Sequence, residues 1–243
     1  MRKPVFLLLF ISLIGAVSCS KFDPFEPLSE EQIEALLTQA KANSSSAEAP
    51  CEPLSAEEIQ QKINQVKALE TEQVGKREIA LLETNMGTIA IAFYTELAPE
   101  HTKSFKRLVT NGFYDCTRFH RILKDFVIQG GDILTRDANP DNDGTGGPGY
   151  QLDAEFNGIP HDLGILSMAR SNDLNSAGSQ FFICLSRERT AALDGKYTVF
   201  GKVIGGLDVV KALGNVETTT NRWNEPSVPV EPMYIKKAYM VKR

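Results

Sequence analysis

Residues able to do chemistry are concentrated in the run Phe119-His120-Arg121-Ile122-Leu123-Lys124-Asp125-Phe126-Val127-Ile128-Gln129-Gly130-Gly131-Asp132. An extended chain alternates its side chains between two faces. Val127 and Gln129 therefore share one face while Ile128 takes the other. In a later block Gln180 and Phe182 share a face, leaving Phe181 and Ile183 for the core. A polar and aromatic outer face backed by an aliphatic inner one suits a groove on a barrel wall. Arg121 adds a permanently charged, planar fork of donors.

Other chemistries fit less well. Asn139-x-Asp141-x-Asp143-Gly144 resembles the start of a calcium loop, but Tyr150 stands at the twelfth position, where a bidentate Glu is needed. The Gly144 to Gly149 cluster contains Pro148 and opens no helix, so it is not a dinucleotide fingerprint. Three histidines leave little room for a His-rich metal site. His101 is expected at the surface of a helix, and His120, pointing away from Arg121, reads as structural. The four cysteines form no C-x-x-C pair. Cys184 lies in an apolar run and reads as a buried thiol, while Cys51 and Cys116 are left with pairing undecided. The net charge of -5 argues against nucleic acid as the main partner.

The Phe119 to Asp132 run closely resembles the signature of the cyclophilins, the peptidyl-prolyl cis-trans isomerases. The resemblance continues, in family order, through Gly144-Thr145-Gly146-Gly147-Pro148-Gly149-Tyr150, Gly164-Ile165-Leu166-Ser167-Met168-Ala169, Ser179-Gln180-Phe181-Phe182-Ile183 and Leu193-Asp194-Gly195-Lys196-Tyr197-Thr198-Val199-Phe200-Gly201. It implies a mainly β fold, a closed eight-stranded antiparallel barrel capped by two helices. It also implies an enzyme that accelerates Xaa-Pro rotation in proline-containing polypeptides, with no cofactor and no metal. Arg121 is the catalytic donor on this reading and Gln129 holds it. Phe126, Val127, Ala169, Arg170, Gln180, Phe182, Leu193 and Tyr197 line the substrate site, with Arg170 contributing only its backbone. Ala192, Tyr197 and Val127 depart from the Trp, His and Met frequent in the family, and loss of the indole implies weak cyclosporin binding. The alternative function is a tethered module that binds proline peptides with little turnover.

Elements must position these residues. Glu78 to Leu82 and Thr88 to Tyr94 read as strands around a turn at Asn85-Met86-Gly87. Pro99 starts a helix that Asn111-Gly112 closes. Short strands follow at Phe119 to Leu123, Phe126 to Gln129, Ile165 to Ala169, Gln180 to Leu185 and Tyr197 to Val203. A helix at Leu207 to Leu213 and a last strand at Tyr234 to Val241 complete the domain, residues 77–243. Many short strands with two helices suit an antiparallel barrel or sandwich.

Before this domain, residues 19–76 form an acidic tether with 5 Lys+Arg against 11 Asp+Glu. Glu26-Pro27-Leu28-Ser29 recurs as Glu52-Pro53-Leu54-Ser55, and each copy opens a helix. Ser29 with Gln32 and Ser55 with Glu58 have capping-box spacing. Ile33, Leu36, Leu37 and Ala40 mark one helical face, as do Ile59, Ile63, Val66 and Leu69. Residues 28–70 are thus candidates for docking a partner or a second copy. Residues 1–18 read as a signal peptide: Arg2 and Lys3 precede an apolar run too short to span a bilayer. Cys19 follows small residues as in a bacterial lipoprotein, so lipidation of Cys19 is expected to anchor an exported protein to a membrane, facing the periplasm or cell surface, with a secreted soluble form as the alternative.

Overall fold

Most of the strands are apolar on both faces, and the sheet they form curls until its edges meet. The computed structural model describes residues 22–44 and 51–243; the expected signal peptide and Cys19 lie outside them. Helices α1 (Glu30–Asn43) and α2 (Ala56–Ala68) come first, then β1 (Glu78–Thr84), β2 (Gly87–Phe93) and α3 (Pro99–Thr110). Next are β3 (Arg121–Leu123), β4 (Val127–Gly130), β5 (Ile165–Met168), β6 (Phe181–Cys184), the short α4 (Arg187–Thr190) and β7 (Val199–Gly205). Last come α5 (Leu207–Leu213), β8 (Thr218–Thr220), β9 (Pro226–Pro229) and β10 (Ile235–Lys242).

The main sheet runs β10-β1-β2-β7-β5-β6-β4-β3, antiparallel throughout. Its two edges are tied together where Cys116 N–H donates to the Ile235 carbonyl (2.7 Å), Ile235 N–H to Thr117 (2.9 Å) and Phe119 N–H to Met233 (2.8 Å). Ala80, Leu82, Ile89, Ile91, Ile128, Leu166, Phe181, Ile183 and Phe200 fill the interior. Helices α3 and α5 cap the barrel, sending in Phe105, Leu108, Val210 and Leu213. Phe105 meets the rings of Phe93, Tyr114, Phe181 and Phe200 at 5.0–5.7 Å, and full burial of such a side chain is worth about 1.5–3 kcal/mol.

Odd and even positions on these strands have different fates. The outward residues form two further apolar clusters. One, on β1, β2, β7 and β10, gathers Ile79, Leu81, Ala90, Ala92, Ile204 and Tyr239, and α1 covers it with Ile33, Leu37 and Ala40. The other, on β4 to β7, is Val127, Ile165, Phe182, Cys184 and Val199.

Both N-terminal helices carry complete capping boxes, Ser29 with Gln32 and Ser55 with Glu58. Their apolar faces turn onto the chain's own barrel, which corrects the expectation that residues 28–70 present them to a partner or a second copy. Helix α1 is pinned by Leu28 N–H to the Ile204 carbonyl and by a Lys41–Glu83 ion pair, both 2.7 Å. Helix α2 sends Ile59 and Val66 into the main core and is held by Leu54 N–H to the Arg136 carbonyl (2.8 Å) and Lys62 Nζ to the Gly112 carbonyl (2.9 Å). Cys51 and Cys116 form a disulfide at its base.

One local reading needs correction. His101 is fully buried, with its Nδ1 2.6 Å from Glu155 Oε2. The calcium-like segment is a capped turn, in line with its sequence: Asp137 and Asn139 side chains accept from the backbone of Asn139 and Asp141.

Candidate active site

Strand β3 presents Arg121 outward, and its antiparallel partner β4 places Gln129 directly opposite. Arg121 Nη1 donates to Gln129 Oε1 at 3.3 Å. Gln129 Nε2 donates in turn to Gln180 Oε1 (3.1 Å), and Gln180 Nε2 to the Gly146 carbonyl (2.9 Å). The polar chain thus crosses from β3 to the glycine-rich loop, every bond donating in the same direction.

Beside it lies the second outer cluster, its own members buried and the residues around them half-exposed. Phe182 and Val127 form its floor, with Phe126, Ala169, Leu193 and Tyr197 packed around them. Phe182 meets Tyr197 edge-on at 5.6 Å, a favoured aromatic geometry. Arg170 caps Tyr197 with its guanidinium 4.6 Å from the ring centroid and donates from Nε and Nη2 to the Lys196 carbonyl. Its side chain is therefore part of the rim, where the sequence reading used only its backbone. Ala169 N–H donates to the Gln180 carbonyl (2.9 Å). Adjoining this cluster, a groove of about 780 Å³ runs between Gly146, Ala169, Arg170 and Gln180, with Gln60 and Ile63 of α2 on its wall.

Two sets of residues were not found from sequence. The first is a buried network behind Phe182. His161 stacks on that ring at 6.0 Å, its Nδ1 lies 3.0 Å from Asp194 Oδ1, and its Nε2 lies 3.1 Å from Ser167 Oγ. The order serine, histidine, aspartate suggests a nucleophile, but Ser167 and His161 are fully buried and the Ser167 hydroxyl donates to the Thr198 carbonyl. Burial pushes the His161 imidazole down, whereas hydrogen bonds from Arg187 foremost, and also from His161, hold the Asp194 carboxyl well below the usual range. The network fixes the back wall of the pocket. Cys184 nearby is inert, its thiol pushed by burial up to about 12.

The second is Glu225, on the β8–β9 hairpin that the sequence reading passed over. Its Oε2 accepts from Arg121 Nε at 2.7 Å and its Oε1 from Arg121 Nη2 at 2.8 Å. This bidentate pairing holds the Glu225 carboxyl below its ordinary range. The signal was faint, since Thr-Thr-Thr, two prolines and a polar turn show no clear strand alternation.

Residues 79–238, more than half of the chain, match the family model described as cyclophilin type peptidyl-prolyl cis-trans isomerase/CLD. The chain belongs to the cyclophilin-type peptidyl-prolyl cis-trans isomerases. Among relatives of this cyclophilin are peptidyl-prolyl cis-trans isomerase-like 1 of Rhizopus delemar and the isomerase ppi1 of Schizosaccharomyces pombe. The first is 44% identical over 153 residues, covering 61% of this chain and 87% of that protein. The second is 42% identical over 162 residues, covering 65% and 95%. Among solved structures, a cyclophilin-type isomerase of Cryptosporidium parvum, crystallised in the presence of the dipeptide Ala-Pro, superposes with a TM-score of 0.59. It is 31% identical, covering 68% of this chain and 99% of that one.

These relatives correct one expectation. They are eukaryotic isomerases consisting almost wholly of the matched domain, which overturns the reading of an exported, membrane-anchored lipoprotein of the periplasm or cell surface, and its secreted soluble alternative. Among the described residues, no helix is long and apolar enough to cross a membrane.

Proposed function

We propose that this cyclophilin accelerates Xaa-Pro rotation by seating the proline ring on Phe126, Val127, Phe182, Leu193 and Tyr197 while Arg121 donates to the twisted amide. The barrier, about 18–20 kcal/mol, comes from conjugation of the prolyl nitrogen with the carbonyl. Twisting the bond breaks that conjugation and returns a lone pair to nitrogen. A donor that meets this lone pair favours the twisted state over either planar one, and only such differential binding raises the rate. Arg121 has five N–H groups. Glu225 takes two and Gln129 one, leaving two for substrate. No proton is transferred and no bond is broken.

The observation that carries this reading is the contrast between the two outer clusters. An apolar patch on a barrel's outside calls for a cover. The chain covers one with a helix, α1, and rims the other only with half-exposed side chains, Phe126, Ala169, Leu193 and Tyr197, beside the Arg121–Gln129–Gln180 chain. The groove reaching Gln60 and Ile63 would receive residues preceding the proline.

The test is isomerisation of an Xaa-Pro peptide followed by NMR exchange, for the natural protein and Arg121→Ala. Loss of one preorganised donor is expected to lower kcat/KM on the order of a hundredfold. Equal rates in the two proteins would refute the role of Arg121.

A further inference from the structure

Glu225 reaches Arg121 from 104 residues away in sequence, carried by a hairpin outside the main sheet. Strand β9 runs along β3, so the two halves of the ion pair ride on neighbouring elements. The hairpin turn is closed around Asn221. Its Oδ1 accepts from the backbone N–H of Trp223 (2.9 Å) and of Glu225 (3.0 Å), while Asn221 N–H donates to the Glu225 carbonyl (2.9 Å). Asn224 takes the left-handed conformation, φ 62°, which asparagine tolerates better than most residues. Glu225 is thus fixed through both its N–H and its carbonyl before its side chain reaches out.

A carboxylate on this guanidinium could compete with substrate or could aim the guanidinium. A competitor must leave easily, whereas the closed turn fixes the Glu225 backbone where its carboxylate reaches Arg121, so only side-chain rotation separates the pair. The pair is also a poor stability device. Arg121 and Glu225 are each about one-third exposed, at 31% and 32%, where ion pairs contribute little. Two parallel N–H···O bonds do, however, fix the plane of a guanidinium. They sit on its Nε–Nη2 edge, while Gln129 holds Nη1. The guanidinium is gripped from two sides, and its two remaining N–H groups keep one orientation.

We propose that Glu225 is a positioning residue for prolyl isomerisation, its carboxylate locking the Arg121 guanidinium plane beside the proline pocket. The proposal rests on Arg121 being the donor to substrate, so its test includes Arg121→Ala as a separate arm.

The experiment measures kcat and KM for an Xaa-Pro peptide with the full-length natural protein, Glu225→Gln, Glu225→Ala and Arg121→Ala, together with solvent exchange of the Arg121 Nε–H by NMR. Misorientation of a catalytic group is expected to cost Glu225→Ala about tenfold in kcat, with KM within about twofold. Glu225→Gln, which keeps the shape and one acceptor, is expected to fall between. The Arg121 Nε–H should exchange slowly in the natural protein and fast in Glu225→Ala. Trp223, the only tryptophan of the chain, lies in the hairpin turn, so its fluorescence reports whether the hairpin is intact. If the alanine variant disturbs that emission, Glu225→Gln carries the comparison. Fast Nε–H exchange with kcat unchanged or raised overturns the proposal and makes Glu225 a bystander or a competitor. Equal turnover by the natural protein and Arg121→Ala refutes the Arg121 reading instead, a separate outcome.

Discussion

At the scale of single residues, the site depends on partners that the motif does not contain. Arg121 and Gln129 were legible because they sit eight residues apart in a recognisable run. The residues that hold them in place, Glu225 and Gln180, arrive from other strands, and His161 braces Phe182 from a loop. Burial likewise has partners the sequence does not show: His101 is interior with Glu155 2.6 Å from its Nδ1. Asp143 lies beside the hollow between the hairpin and the Pro140–Asn142 turn. Burial foremost, eased by Arg118 but reinforced by Asp132 and Asp137, raises its pKa from 3.8 to about 6. A carboxyl raised in the folded state favours folding below the unfolded value, and that contribution is lost as pH rises through the folded one. Asp143→Asn should therefore melt with the natural protein below about pH 4 and exceed it above about pH 6. The difference, after screening, is about 1 kcal/mol. Melting curves across that range check it, and a gap independent of pH would contradict it.

At the scale of elements, periodicity explains what could be read and what could not. Strands β1, β2, β4 to β7 and β10, and helices α3 and α5, show alternation or helical spacing with clear stops, and they lie close to where those signals put them. The β8–β9 hairpin escaped because it buries little: of Pro226–Pro229 only Ser227 is buried. The repeated Glu-Pro-Leu-Ser units were legible as helix starts because a capping box is local chemistry. Where those helices lie was not, since docking depends on a surface formed only after the barrel closes. The disulfide belongs here too. Cys51 precedes α2 and Cys116 follows α3, 65 residues apart, and no sequence rule pairs them. A cross-link over that separation restrains the unfolded chain, so Cys51→Ser is expected to cost about 2–4 kcal/mol in chemical denaturation. An unchanged midpoint would mean that α2 stays docked without it.

At the scale of the whole molecule, the barrel carries apolar surface outside as well as inside, and the N-terminal segment covers one of the two outer clusters. The segment is fastened along its length: Phe25 stacks on Tyr94 at 4.4 Å, and Arg243 donates from Nη1 to the carbonyls of Pro24 and Glu26. Residues 77–243 alone should therefore expose Ile79, Leu81, Ala90 and Ala92, bind a hydrophobic dye and melt lower than the full chain; equal dye binding would show that α1 is dispensable. Sequence alone determined the strand alternation, the helix caps and the family motif, because each depends on residues within a few positions of one another. Tertiary structure decided which outer cluster a helix covers and which is rimmed by half-exposed side chains, that Cys51 meets Cys116, and that Glu225 grips Arg121. Those outcomes depend on how strands far apart in the chain come side by side when the sheet closes, and local periodicity carries no record of that.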